Sequence, residues 1–437
     1  MKLYIYSIIT AIIFSADNSI AQNYCIADRF SEIALFDSSE IRIDSNIVFA
    51  NPFHAFTHAQ VELKMDIYSP SFIADTFIQR PFILLVHGGG FLAGSRKEMS
   101  YECMEYARRG FVCATIDYRL GWNCAATDVL SICLFCQSLN NELITATYCA
   151  AQDARAAMRT IYANSSLYRI DPNYLFIGGE SAGGITAMHA AFWDQTEANA
   201  FDPNAISRAG ILDTAGNSLP SNYQIRGVIN SCGAVSKDSI VLNNGNIPVI
   251  NFHDELDCVV PSRYGQVISC LCQPYYWAAG SEILYSILNT AGTCSQYYQV
   301  PLSTGHCSFP KPQLIQKASC FIKTIFCNSC QSSFSNQPGI AVSCSALNDI
   351  NQEDNYVPLT FCELLNTYNG NYVLQRKHAI GSILFHLLDS TGKLVLSGEL
   401  NPGEQEKIIS LQSFSSGIYL LHTTTSNSSK TFKIENH

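Results

Sequence analysis

The sequence is short of charge. Asp, Glu, Lys and Arg make up 14% of 437 residues, and the 26 Lys and Arg are outnumbered by 36 Asp and Glu. At a formal net charge of -10 there is no basic stripe to release counterions from a polyanion. That argues against nucleic acid or an anionic membrane surface as a partner. Long apolar runs are also missing. The run over residues 3–14 is too short for a comfortable membrane span, and no later stretch is long enough. Neither Gly nor Pro is in excess, and 47% apolar residues describe a globular chain with a real core. At this length two domains are expected rather than one.

The amino terminus has the form of an export segment. Lys2 supplies a minimal positive region, residues 3–14 the apolar run, and Ser19-Ile20-Ala21 a small-x-small cleavage site before Gln22. Eighteen cysteines agree with export, because a high, even count in an oxidising compartment reads as disulfides. Cys133-x-x-Cys136 and Cys327-x-x-Cys330 have a spacing that zinc sites use. They lie far apart among other cysteines, so structural bridges are the expectation, with connectivity open. No metal or cofactor is called for.

The organising stretch is Leu175-Phe-Ile-Gly-Gly-Glu-Ser-Ala-Gly-Gly-Ile185. A short apolar strand turns sharply into an Ala-rich helix, with Ser181 at the apex. Such a turn strains the serine backbone and needs side chains absent two residues to either side, where Gly179 and Gly183 stand. The hydroxyl then sits at the carboxyl end of a strand and the amino end of a helix, where N–H groups favour negative charge. About ninety residues earlier, the continuously apolar residues 82–86 run into His87-Gly88-Gly89-Gly90-Phe91. Successive glycines there let the backbone approach a ligand and aim its N–H groups at one point.

Residues 41–49 and 59–68 read as an antiparallel entry to a sheet, the second with one wet face. From 82 onward strands and helices alternate to about 325, which predicts a mostly parallel sheet flanked by helices. In such sheets ligands bind outside the carboxyl ends of the strands, and both glycine motifs fall at that edge. An insertion at 121–148, with Cys124, Cys133 and Cys136, leaves the sheet at the same edge and is expected to overhang the site. Near Gln331 the composition turns Ser/Asn-rich, as linkers do, and beyond 365 short alternating strands predict a small all-β sandwich. The expected plan is a signal peptide 1–21, a catalytic domain 22–330, a linker 331–364 and a β-sandwich 365–437.

A serine hydroxyl needs a base to take its proton and an acid to orient that base. His253-Asp-Glu-Leu-Asp-Cys-Val-Val-Pro261 follows one predicted strand and Gly305-His306-Cys307 the last. His306 is preferred as base over His87, His189 and His253. Asp257 is preferred as acid over Asp254 and Glu255.

His87-Gly-Gly-Gly-Phe91 with Gly179-Glu-Ser-Ala-Gly-Gly184 resembles the α/β-hydrolase fold, in its carboxylesterase and hormone-sensitive-lipase-like branches. Asp66-Ile-Tyr-Ser-Pro70, Asp117-Tyr-Arg119, Asp153-Ala-Arg-Ala-Ala157 and Ile170-Asp-Pro172 add to the likeness. The resemblance implies Ser181 as nucleophile, Asp257 as acid, His306 as base, and the N–H groups of Gly89, Gly90 and Ala182 as an oxyanion hole. It implies a serine ester hydrolase acting through an acyl-enzyme on a small-molecule or polysaccharide-linked ester. The acid loop departs from the family pattern by having Asp254-Glu255 where Gly-Thr is usual. A same-fold peptidase or a non-catalytic surface adhesion protein are the alternatives.

The tail resembles the C-terminal sorting domain of the type IX secretion system of Bacteroidetes. Leu387-Leu-Asp-Ser-Thr-Gly-Lys-Leu-Val395, Ser413-Phe-Ser-Ser-Gly-Ile-Tyr-Leu420 and Lys430-Thr-Phe-Lys433 carry that likeness. It implies recognition by the secretion machinery and a secreted or cell-surface location.

Overall fold

The computed structural model describes residues 24–26, 28–122, 140–243, 246–269, 275–339, 344, 362–367, 371–377, 382–389, 393–425 and 429–436. The export segment, its cleavage site and the cysteines at 124, 133 and 136 lie outside them, as do residues 123–139 of the insertion, whose last residues, 140–148, are helical.

Nine strands form the main sheet. In chain order its first half is β1 (Ile41–Ala50), β2 (Leu63–Pro70), β3 (Arg80–Val86), β4 (Val112–Ile116), β5 (Ile170–Glu180) and β6 (Ile225–Ser231). A two-residue β7 (Ala234–Val235) belongs to a small separate sheet with β9 (Tyr264–Gln266) and β10 (Trp277–Gly280). The main sheet resumes with β8 (Val249–Asp254), β11 (Ser295–Val300) and β12 (Ser333–Ser335). Five principal helices accompany it: α1 (Ser100–Arg108), α2 (Asn140–Ala163), α3 (Ala182–Phe192), α4 (Ser281–Thr290) and α5 (Lys311–Phe326).

The strand order is β1-β2-β4-β3-β5-β6-β8-β11-β12. β1 and β2 enter antiparallel, and every pairing from β4 to β12 is parallel. All seven residues of β3 are buried, as expected of a strand covered on both faces. The sheet therefore presents its carboxyl edge to one side, and β5, β8 and β11 all end there. β12 comes from the Ser/Asn-rich stretch after residue 330. Only three residues long, it is held by pairing with β11 and by Phe334 packing on Tyr297, centroids 5.4 Å apart.

Two motif pieces are explained by one buried ion pair. Arg119, just after β4, donates to Asp153 on α2 at 2.7 Å, with side chains 2% and 0% exposed. Its backbone N–H also reaches Asp153, at 2.8 Å. Asp153→Ala would leave a guanidinium buried without its counter-charge, a loss of about 3–5 kcal/mol. Urea unfolding followed by tryptophan fluorescence should read that drop, and a change below about 1 kcal/mol would remove the pair from the account of stability.

Four disulfides lie within the described residues: Cys25–Cys327, Cys232–Cys307, Cys294–Cys330 and Cys320–Cys344. Both members of the Cys327-x-x-Cys330 pair are thus bridged elsewhere. The tail comprises two antiparallel sheets. One has the order β13 (Cys362–Thr367), β14 (Asn371–Arg376), β17 (Glu406–Ser410). The other has the order β16 (Leu394–Leu400), β15 (Ile383–Leu388), β18 (Gly417–Thr424), β19 (Ser429–Asn436). Ile383, Phe385 and Leu387 alternate inward along β15 into a core shared with Leu374 and Ile409 of the other sheet.

Candidate active site

Ser181 stands between β5 and α3 with φ 57° and ψ -119°. A non-glycine residue holds such a backbone only where its surroundings impose it. Here its N–H donates to the Ser231 carbonyl at 2.9 Å, while its own carbonyl accepts the first helical N–H, from Ile185, at 2.9 Å. The flanking glycines are required by contact. A Cβ on Gly183 would collide with the Val86 carbonyl oxygen, and one on Gly179 with the Gly183 backbone.

The Ser181 hydroxyl lies 2.7 Å from His306 Nε2. On the far side of the ring, Nδ1 lies 2.6 Å from Asp257 Oδ2. A carboxylate only accepts, so Nδ1 carries the proton and Nε2 is left free to accept from the hydroxyl. Asp257 follows β8 and His306 follows β11, so three loops at the carboxyl edge converge on one line of hydrogen bonds.

Asp257 is fully buried at its side chain. Oδ1 accepts the N–H groups of Val259 and Val260 at 2.9 and 3.1 Å. Oδ2 accepts from His306 and also faces His253 Nε2 at 3.3 Å. Burial by itself pushes this carboxyl up, but the hydrogen bonds from His253 and His306 outweigh it and hold it at about 2. The group is therefore an anion throughout the neutral range.

The rival histidines have other partners. His253 Nε2–H also donates to the Val260 carbonyl at 2.9 Å, while Nδ1 accepts from Ser281 at 2.7 Å. His253 thus sits behind the acid and does not approach Ser181. His87 is buried in the glycine loop, where Nδ1 donates to the Gly88 carbonyl at 2.8 Å and the ring stacks on Tyr118 at 4.4 Å. The Tyr118 hydroxyl closes the loop by donating to the carbonyls of His87 and Gly88, both at 3.1 Å. His189, buried in α3, donates through Nδ1 to the Ile185 carbonyl and accepts the Ser236 N–H on Nε2, and burial lowers it to about 3.

Three contributors were not visible as such in the sequence. Asp254 and Glu255, the departure from the family pattern, fasten the His306 loop. Asp254 Oδ2 accepts the Ser308 N–H at 2.8 Å, and Glu255 Oε2 the Leu302 N–H at 2.7 Å. The third is the disulfide from Cys307, the residue after His306, to Cys232 beyond β6. The only available hints were an unexpected pair of acids and a cysteine adjacent to the preferred base.

A cavity of ≈ 450 Å³ opens over Ser181. Gly89, Gly90 and Ala182 line it together with Ser181 and His306. Gly89 and Gly90 have φ of 99° and 63°, and a Cβ on Gly89 would collide with the Ala93 carbonyl. Leu143, Ile185, Val260, Val267 and Ile268 make one wall apolar. Lys311, also in the lining, pairs with Glu102 at 2.6 Å and approaches Glu180 at 3.6 Å. Among the described residues, two groups of side chains have ligand atoms close enough for a metal: Cys232, His306 and Cys307, and Glu32, Cys320 and Cys344. In both, the cysteines are bonded to each other, so they offer no thiolate.

Residues 65–131 match the BD-FAE family, and residues 368–435 match the secretion system C-terminal sorting domain. Carboxylesterase 3B of Mus musculus is 30% identical over 152 residues, 35% of this chain and 24% of that protein. The para-nitrobenzyl esterase of Bacillus subtilis (strain 168) is 28% identical over 135 residues, 31% of this chain and 25% of that protein. The non-reducing polyketide synthase mapC of Penicillium brevicompactum is 30% identical over 151 residues, but that is 5% of its length. The chain thus spans a quarter or less of these relatives. Among solved structures, a Thermogutta terrifontis esterase with bound propionate aligns at a TM-score of 0.40 and 17% identity, over 65% of this chain and 92% of that one. Esterase B of Lactobacillus rhamnosis aligns at 0.43 and 15%, over 67% and 88%.

Proposed function

From an α/β-hydrolase body of the esterase type, joined to a secretion system C-terminal sorting domain, we propose that this chain is an exported serine ester hydrolase. The observation that carries the reading is the unbroken line Ser181–His306–Asp257, at 2.7 and 2.6 Å, opening onto a cavity.

In this reading Ser181 Oγ attacks the ester carbonyl while His306 Nε2 takes its proton. Asp257 holds the ring in the Nδ1–H tautomer and stabilises the imidazolium that forms. The N–H groups of Gly89, Gly90 and Ala182 receive the oxyanion, each supplying roughly 3 kcal/mol of barrier lowering. His306 then protonates the departing alcohol, and water repeats the sequence on the acyl-enzyme. The apolar wall suits the hydrocarbon part of the ester. The sorting domain supports recognition by the type IX machinery and release to the cell surface or medium, and the disulfides fit an oxidising destination.

The test needs no knowledge of the natural substrate. A fluorophosphonate should label one serine, and peptide mass mapping should find it at Ser181. In parallel, p-nitrophenyl esters from acetate to long chain should be hydrolysed with a chain-length optimum that separates esterase from lipase. Labelling at another serine, or a folded protein that neither labels nor hydrolyses any ester, would overturn the proposal.

A further inference from the structure

We propose that Cys232 and Cys307 act, through their disulfide, as positioning residues for His306, so that the hydrolase reaches its full rate only when this pair is oxidised. The inference rests on the reading of His306 as the base that serves Ser181.

The bond joins the residue after His306 to the residue after β6. The last residue of β6, Ser231, is the one whose carbonyl accepts the Ser181 N–H. A single covalent link therefore ties the base loop to the element that fixes the nucleophile's backbone. Cys232 is seated further by its N–H, which donates to the Phe252 carbonyl of β8 at 2.7 Å. Both half-cystines hold left-handed backbone, φ 46° at Cys232 and φ 58° at Cys307, a region that non-glycine residues occupy only under constraint. Cys307 itself lines the cavity.

The rest of the loop is anchored on the opposite side. Its Leu302 and Ser308 N–H groups are held by Glu255 and Asp254, both on the acid's strand end. Hydrogen bonds thus hold the loop toward the acid, and the disulfide holds it toward the nucleophile. Without the disulfide the loop can turn about its acid-side anchors, carrying Nε2 away from Oγ. A displacement of about 1 Å in such a line is worth roughly 100-fold in rate. The other three disulfides described do not line this cavity.

The chemistry balances as thiol–disulfide exchange. Two Sγ–H bonds break, one Sγ–Sγ bond forms, and two electrons pass to a disulfide oxidant, whose S–S bond becomes two thiols that take up the protons. A chain in which this pair is reduced would be slow, and its oxidation after export would complete the site.

The experiment compares full-length wild type, Cys232→Ser, Cys307→Ser and the double variant. The readouts are kcat and KM on a p-nitrophenyl ester and the rate of Ser181 labelling by fluorophosphonate. A chelator is present throughout, because reduced Cys232 and Cys307 with His306 offer three ligand atoms within 4.8 Å of one another and can capture zinc. Each variant should lose about 10–100-fold in kcat and in labelling rate, with KM within about threefold and the double variant no worse than either single one. Dithiothreitol, at a dose where alkylation mapping finds the Cys25–Cys327, Cys294–Cys330 and Cys320–Cys344 bonds intact, should bring wild type down to the double variant's rate and leave the double variant unchanged. Oxidised glutathione should restore wild type. A double variant within twofold of wild type, or one as sensitive to dithiothreitol as wild type, overturns the proposal. Should the variants fail to fold, alkylation mapping of partly reduced wild type decides: activity must fall with labelling of Cys232 and Cys307, and a fall that follows the other cysteines overturns it. Ser181→Ala run alongside separates the two claims. If it still hydrolyses the ester, the triad reading fails; if it is inactive while the double variant is fully active, only the disulfide inference fails.

Discussion

Replacing Ser181 with alanine should lower kcat/KM for ester hydrolysis by roughly 10⁴–10⁶-fold while the fold remains intact. The size follows from there being no substitute at the apex. Other side chains line the cavity, Glu98, Glu180, Tyr276 and Lys311 among them, but the hydroxyl held against His306 Nε2 is that of Ser181. Residual rate would come from binding and from the oxyanion donors alone. Alanine keeps the Cβ, so it meets the same φ of 57° and the same neighbours, and loses only the 2.7 Å hydrogen bond to His306. Circular dichroism and thermal midpoint should therefore be nearly unchanged. A variant retaining a tenth of the wild-type rate would remove Ser181 from the mechanism.

Asp257→Asn should lower kcat/KM by about 10⁴-fold for a different reason. The carboxylate accepts from four directions: two backbone N–H groups on Oδ1, and His306 and His253 on Oδ2. An amide that keeps its oxygen toward Val259 and Val260 turns its NH₂ toward two ring nitrogens that already carry protons. His306 then has to move its proton to Nε2, the atom that must accept from Ser181. The same substitution should change stability with a definite dependence on pH. The folded-state value of Asp257 is lowered from 3.8 to about 2. Its stabilising contribution, on the order of 2 kcal/mol, is present in full above the unfolded value and is lost as pH falls through about 2. Wild type should thus be the more stable of the two at neutral pH, with the gap closing in strong acid. Chemical unfolding at a series of pH values reads this directly, and a gap independent of pH would mean the carboxylate's charge is not what the histidines recognise.

The fold was legible where local and long-range demands coincide. The Ser181 turn is announced by two glycines at fixed offsets, because side chains there would collide with backbone, that of Gly183 for Gly179 and that of Val86 for Gly183. β3 is announced by unbroken apolarity, because burial on both faces leaves no place for a polar residue. β12 carried no such sign, since Ser333, Phe334 and Ser335 gain their strand from a neighbour, not from their own pattern. β13 and β14 were likewise invisible, being polar-rich segments whose alternate residues point into a core supplied largely by later strands. For the site, residue types and order could be read, but partners could not. Asp254, Glu255 and Asp257 are three acids within four residues that all accept backbone N–H groups, and only the fold shows that Asp257 alone of them also meets imidazoles. His253 looked like a competing base and lies behind the acid. Disulfide connectivity was closed for the same reason, as Cys25 and Cys327 are 302 residues apart.

That last bridge has a consequence for durability. It closes the hydrolase body into a covalent ring from Cys25 to Cys327, worth roughly 5–6 kcal/mol of chain entropy by loop closure. A ring can be nicked once without being divided. A protease that cuts any one surface loop between these residues leaves Ser181, Asp257 and His306 on a single covalent piece. The sorting domain lies outside the ring in sequence, so trimming it away leaves the circle closed.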